Sequence, residues 1–222
     1  MFGFISAAIA KSCGRIAREV VNLARTEIAE VVESSGHHRG ASSTMPQKDN
    51  PVSSEAIIGL TEVASASSSA LMRSVEAVHE RAAGEWHIEW YGVPEVAYAT
   101  ASAIVLTSEL LAGMQVNVDA METNLELSGS ELLAEAYMMQ LANEIGREQA
   151  HDRLYAAVRD ARRNGRTLES ELFTSAGQTS LKSISPRDYL GDVADICNSA
   201  IDQWSRLTGL SDENGLAARE ID

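Results

Sequence analysis

The sequence predicts an all-α protein, a bundle of long helices followed by a small C-terminal helical domain. Three observations predict it. Over the first 124 positions apolar residues recur at steps of three and four for longer than an ordinary globular helix lasts. No segment shows a convincing period-two alternation of the kind a strand requires. From Leu125 onward the helical patterns shorten, with Ser128 to Ser130 marking the joint.

The first pattern, Ile5, Ile9, Cys13, Ile16, Val20 and Leu23, predicts the buried face of a helix continuing to about Glu33. Such a helix would be on the order of 45 Å long. The second, Ile57, Leu60, Ala64, Leu71, Val75 and Val78, predicts a rod from Pro51 to about Ala83. Asn50 is a capping residue type, and Pro51 suits a first helical position, where no amide donor is needed. Inside this rod the run "ASASSSA", Ala64 to Ala70, has side chains small enough for a close helix crossing within a bundle. The third, from Pro94 to about Val116, carries Val96, Ala99, Ile104, Leu106 and Leu110, and "GEWHIEWYGVP" before it reads as an aromatic and polar connection. Shorter helices follow over 130–143, 147–163, 168–172 and 186–207. The predicted organisation is a bundle portion over 1–124 with a loop at 36–50, a small helical domain over 125–208, and an acidic tail over 209–222.

Lys and Arg number 18 against 32 Asp and Glu among 222 residues, a net charge of -14, which disfavours a nonspecific grip on nucleic acid or anionic lipid. Cys13 and Cys197 are far apart and outside any CxxC spacing, so both read as small core residues in a reducing cytoplasm. Charged or strongly polar residues are expected to interrupt every apolar run short of the ~18 residues a membrane span needs. The opening segment lacks the basic front end of a signal peptide. No metal or other cofactor is expected: His79, His87 and His151 read as hydrogen-bonded structural groups, and nothing around His37 and His38 completes a site.

The loop "GASSTMPQKDNP", Gly40 to Pro51, is the candidate chemical device. Ser42 and Ser43 offer hydroxyls, Lys48 a positive charge, and Asn50 stands at the start of a long helix, where amides and the macrodipole favour an anion. Together they suit a carboxylate. A serine acts as a base only where its anion is stabilised, as a lysine and aligned amides can do.

The order "SSTMPQKDN" resembles the signature loop of the fumarase/aspartase superfamily, Gly-Ser-Ser-x-Met-Pro-x-Lys-x-Asn, with Ala41 in place of the glycine. "RTEIAEV" is similar to that family's "TEVGEV" segment, and "GREQAHDRLY" to its small final domain. The resemblance implies a fumarase/aspartase-like helical bundle. It also implies that Ser42 is the base beside a substrate carboxylate, that Lys48 and Asn50 hold that substrate together with Ser43, Thr44 and Met45, and that Glu55 orients a catalytic histidine. Family members carry an N-terminal domain and an earlier part of the bundle, and this chain begins inside the central helices. Gln47 and Asp49 depart from the family's His and Arg or Val, and Asp49 beside Lys48 weakens the local positive field.

A second loop separates branches of the superfamily. Adenylosuccinate lyases have "HERDxSHSSxER", whose arginines and serine grip a nucleotide phosphate. This chain reads "HERAAGEWHIEW", keeping Arg81 but placing Trp86 and Trp90 where phosphate donors would stand. With the following "VPE", it resembles the cycloisomerase branch that forms a lactone from 3-carboxy-cis,cis-muconate in aromatic catabolism. That implies an enzyme acting on a small polycarboxylate, with Arg81, Trp86 and Trp90 at the substrate and active sites shared between subunits of a homotetramer. The alternatives are an adenylosuccinate-lyase-like or other fumarate-type carbon–heteroatom lyase, and a truncated, inactive helical scaffold.

Overall fold

The computed structural model describes residues 1–34, 50–175 and 181–209. It is all-α apart from one two-residue ladder, and it divides into two compact units, Met1–Glu126 and Leu127–Asp222.

In the first unit three long helices pack together: α1 (Phe2–Leu23), α2 (Val52–Met72) and α3 (Glu85–Gly113). Small residues set their spacing. A Cβ placed on Gly14 would lie 2.8 Å from Thr61 Cγ2, and one on Gly92 would lie 2.8 Å from Leu71. Ala10, Ala64, Val96 and Ala103 are fully buried at the same interfaces, and Thr100 Oγ1 donates to the carbonyl of Ser6 at 3.2 Å, tying α3 to α1. The expected close crossing in "ASASSSA" is confined to the face of Ala64 and Ser68, while Ala66 and Ala70 are exposed. On the surface Lys11 and Arg18 both reach Glu62 Oε1, at 2.8 and 2.9 Å, and the Lys11 ammonium holds that carboxyl below its ordinary range.

Several sequence expectations are corrected. The first helix ends at Leu23 and not near Glu33, because the chain turns at 24–29 and then pairs as a strand. β1 (Val31–Val32) runs antiparallel to β2 (Gln115–Val116), with Val31 opposite Val116, and the amide of Asn117 donates to the Glu30 carbonyl at 2.9 Å. Two β-branched residues sit more readily in an extended ladder than in a helix. The second helix stops at Met72, with a short 3-10 turn over Arg73–Glu76, so Val75 and Val78 are exposed. The third begins nine residues earlier than its proline: "EWHIEWYGV" is helical and Pro94 lies inside α3. α3 also contains an 18-residue window apolar enough, by length and composition, to cross a membrane, contrary to the expectation that charge interrupts every run. Its Val96, Ala99, Ala103 and Leu110 are nonetheless buried in contact with the other two helices, as a bundle's core helix requires.

The buried stripe of α1 is rotated from the expected one. Gly3, Ser6, Ala10, Cys13, Gly14, Ala17 and Val20 face the bundle, while Ile5, Ile9 and Ile16 are between about a third and a half exposed. Small residues win the interface because they permit close backbone approach, and the larger isoleucines are left on an outer face.

Ala29 holds φ at 53°, a left-handed conformation that costs an L-residue roughly 1–2 kcal/mol. Ala29→Gly should therefore raise stability, by about 0.5–1 kcal/mol once glycine's greater unfolded-state freedom is subtracted. A higher urea midpoint at constant slope would register it.

α4 (Val118–Ser128), which the sequence pattern did not reveal, follows β2. Asn124 Nδ2 donates to the Ile28 carbonyl at 2.8 Å and to Glu30 Oε1 at 2.9 Å, fastening α4 to the turn after α1.

The second unit contains a 3-10 segment over Gly129–Leu133, then α5 (Ala134–Ile145), α6 (Arg147–Asn164), α7 (Leu168–Ser175), a 3-10 turn over Pro186–Asp188 and α8 (Val193–Thr208). The expected helices over 130–143 and 186–207 thus begin and end elsewhere. Tyr137, Leu141, Ala150, Leu168 and Leu172 form the core of this unit. Burial raises the phenol pKa of Tyr137 above its ordinary value. Cys13 is buried as expected, whereas Cys197, read as a core residue, is exposed on α8.

Candidate active site

The site residues predicted from sequence fall into three groups. Ser42, Ser43, Thr44, Met45 and Lys48 lie outside the described residues, as do His37 and His38. Asn50 and Glu55 lie at the start of α2. Arg81, Trp86 and Trp90 lie beyond its far end.

At the start of α2, Asn50 is half-buried and its carbonyl accepts the amide of Val52 at 2.8 Å. The helix cap is Pro51, which offers no side-chain acceptor. Capping comes instead from Glu33, twenty residues upstream. Its Oε2 accepts the Ser53 amide at 3.1 Å, and its Oε1 accepts the Ser54 amide at 2.9 Å and the Ser54 hydroxyl at 2.6 Å. Ser54 is fully buried. This corrects the expectation that the amino end of the second rod is open to a substrate anion: two of its first amides are already held by a carboxylate of the chain itself. Glu55 lies in the first turn of α2 with its side chain exposed.

Sequence reasoning missed Glu33, Ser53 and Ser54. The capping acceptor is neither at the cap position nor within the first turn, so no local capping pattern announces it. It reaches α2 because the β1–β2 ladder turns the chain back after α1.

At the other end of α2, Arg81 holds φ at 55°, and its guanidinium carbon lies 6.0 Å from the Trp86 ring centroid, at the outer limit of a cation–π contact. Trp86 and Trp90, one turn apart at the beginning of α3, meet edge to face with centroids 5.1 Å apart at 74°. The His87 ring stands 4.6 Å from that of Trp90. The indoles stay 40% and 54% exposed, so they form an open aromatic surface around an arginine and not a sealed core. Such a surface can contact a planar conjugated substrate, with Arg81 supplying charge for a carboxylate. No group of three or more His, Cys, Asp or Glu residues suited to hold a metal ion occurs among the described residues.

The two described groups are far apart within one chain. Gly92 of α3 packs on Leu71 near the end of α2, and Gly113 packs on Ser34 beside the Glu33 cap at its beginning, so α3 runs antiparallel to α2. The length of α2 therefore separates Asn50 and Glu55 from Arg81 and the tryptophans by roughly 30 Å at 1.5 Å per residue.

Comparison with known proteins agrees with the helical fold. A lyase family model matches residues 1–65. The 3-carboxy-cis,cis-muconate cycloisomerase of Acinetobacter baylyi is 35% identical over 202 residues, covering 88% of this chain and 45% of that protein. The enzyme of the same name from Pseudomonas aeruginosa is 37% identical over 197 residues, 86% of this chain and 43% of its own. Among solved structures, the 3-carboxy-cis,cis-muconate lactonizing enzyme of Pseudomonas putida superposes with a TM-score of 0.82 at 31% identity, over 93% of this chain and 48% of that one. The chain thus spans about half the length of the relatives it matches. With the helical fold and the family model in agreement, the chain belongs to the fumarase/aspartase superfamily.

Proposed function

We propose that the protein to which this chain contributes is a cytoplasmic cycloisomerase of aromatic catabolism, converting 3-carboxy-cis,cis-muconate to a carboxymuconolactone. The observation that carries this reading is the open Arg81–Trp86–Trp90 surface in a chain that also carries the serine-loop sequence and is 35% identical to a cycloisomerase over most of its length. The reaction is an isomerisation. One substrate carboxylate oxygen adds to a carbon of the conjugated system, a C–O bond forms, and the electron pair moves to the carbon beside another carboxylate, which then takes a proton. The costly species is the enolate-like anion, so fixed donors and cations govern the rate. Ser42 gives the proton in this direction and removes it in reverse. Lys48, Asn50 and Arg81 steady carboxylates, Ser43, Thr44 and Met45 line the loop side, and Trp86 and Trp90 flank the conjugated plane. No cofactor is required by this balance.

The active unit in this reading is a homotetramer whose sites combine segments of different subunits. Two features support it: the α1 isoleucines Ile5, Ile9 and Ile16 form an outward apolar stripe, and the described site residues lie at opposite ends of α2. Burying such a stripe against another copy would be favourable by roughly 25 cal/mol per Å².

The test is an assay of the whole protein. Loss of the carboxymuconate chromophore with formation of an isomeric lactone is expected, and release of fumarate from a succinyl-nucleotide is not. Fumarate release without carboxymuconate loss would favour the fumarate-type lyase instead, and inactivity on both in an assembled protein would favour the scaffold reading.

A further inference from the structure

We propose that His87 is a substrate-binding residue, holding one carboxylate of a planar conjugated polycarboxylate while Arg81 holds another. The inference deepens the proposed cycloisomerase reading and rests on it. The sequence suggests a hydrogen-bonded structural group at this position. In the structure the residue is exposed, and among the described residues its imidazole makes no hydrogen bond and no ion pair.

What His87 does touch is aromatic. Its ring lies 4.6 Å from that of Trp90 and 5.8 Å from that of Trp86, and the two indoles are 5.1 Å apart, so each ring meets both others. At 3.6 residues per turn, Trp86, Trp90 and His87 share about 100° of arc at the start of α3, while Glu85 and Glu89 fall on the other flank of Trp86. The His87 edge is thereby turned away from the acidic groups of its own helical turn. Arg81 stands against the same Trp86 ring, its guanidinium carbon 6.0 Å from the centroid, so one cation and one neutral-capable donor border a single aromatic surface.

The backbone holds both in place. The His87 amide donates to the Gly84 carbonyl at 3.1 Å, and Gly84 and Arg81 take φ values of 99° and 55°, which fold the turn that carries the arginine. Left-handed backbone is unfavourable for an L-residue, and here it falls on the cation of the turn.

The chemistry of this surface selects its occupant. Packed rings offer apolar faces to a flat conjugated system, and a guanidinium pairs with a carboxylate. An imidazole has at least one N–H donor whichever nitrogen carries the proton. A monocarboxylate would use Arg81 alone; a polycarboxylate uses both groups.

Two substitutions separate the ring of His87 from its donor. His87→Phe keeps a ring against Trp90 and removes the N–H, whereas His87→Gln removes the ring and keeps an N–H. In the whole protein, KM for carboxymuconate should rise about tenfold in His87→Phe with kcat little changed, and should stay within about threefold of wild type in His87→Gln. Calorimetric titration with trimellitate, a flat benzene tricarboxylate that cannot undergo the reaction, should follow the same order, with affinity about tenfold weaker in His87→Phe.

Wild-type KM and affinity in His87→Phe overturn the assignment. A loss in His87→Gln as large as that in His87→Phe overturns it too, since the ring and not the donor then matters. Tighter binding of adenosine monophosphate than of trimellitate would make the surface a nucleotide site and likewise overturn it. Trimellitate binding in the expected order by a protein inactive on carboxymuconate defeats the proposed reaction and sustains His87, and turnover with a KM indifferent to His87→Phe does the reverse. A wild type that neither binds trimellitate nor turns over carboxymuconate defeats both.

Discussion

Ser42→Ala is expected to lower turnover of 3-carboxy-cis,cis-muconate by about a thousandfold, within the 10²–10⁴ range that a positioned proton-transfer group supplies. In the proposed mechanism alanine removes the hydroxyl that carries the proton. Lys48, Asn50 and Arg81 remain to hold carboxylates, so KM should change far less than kcat, the pattern of an interaction made only in the transition state. Following the chromophore under saturating substrate, with circular dichroism and light scattering to verify helicity and assembly, separates chemistry from folding. A variant that turns over at the full rate would remove Ser42 from the mechanism. In the proposed mechanism the charge of Lys48 stabilises the Ser42 alkoxide left by proton donation. Lys48→Met should accordingly be damaging as well.

Gly14→Val is expected to destabilise the first unit by about 2 kcal/mol. The new Cβ would sit 2.8 Å from Thr61 Cγ2 and 2.9 Å from its Oγ1, closer than real side chains approach. Thr61 is fully buried and β-branched, and its hydroxyl donates to the Ile58 carbonyl at 2.8 Å, so it cannot swing aside without giving up that bond. Overpacking of this kind costs about 1–3 kcal/mol and competes with a helix-propensity gain of only about 0.5 kcal/mol over glycine, so the clash prevails. Gly59 on α2 gives the opposite case. Nothing stands within 4 Å of a Cβ there, and Gly59→Ala should stabilise by about 1 kcal/mol. Urea titrations of the two variants should move in opposite directions. A Gly14→Val midpoint at or above that of the wild type would contradict the close α1–α2 packing.

The Arg81 region shows how a sequence pattern can identify residues and misplace their backbone. Aromatic and polar letters around Trp86 suggested a connection, and Pro94 suggested a helix start. Proline at an N-terminal position and proline inside a longer helix leave the same mark in one sequence, and only the packing of Gly92 on Leu71 selects the longer helix. Similarly, Ile5, Ile9 and Ile16 obey the helical period correctly, but periodicity cannot say which of two adjacent stripes meets the neighbouring helices. The small stripe does, because α2 and α3 approach too closely to admit isoleucine.

What the sequence determined by itself is the helical class and the existence of the three rods, since these depend on local periodicity. Tertiary structure decided where α1 stops, which face of it is covered, and what occupies the amino end of α2. Those outcomes depend on partners far along the chain: Val31 on Val116, Gly14 on Thr61, and Glu33 on Ser53 and Ser54. A hydrogen-bond acceptor twenty residues from its donors carries no local signature, and its assignment becomes possible only when the ladder has brought the two segments together.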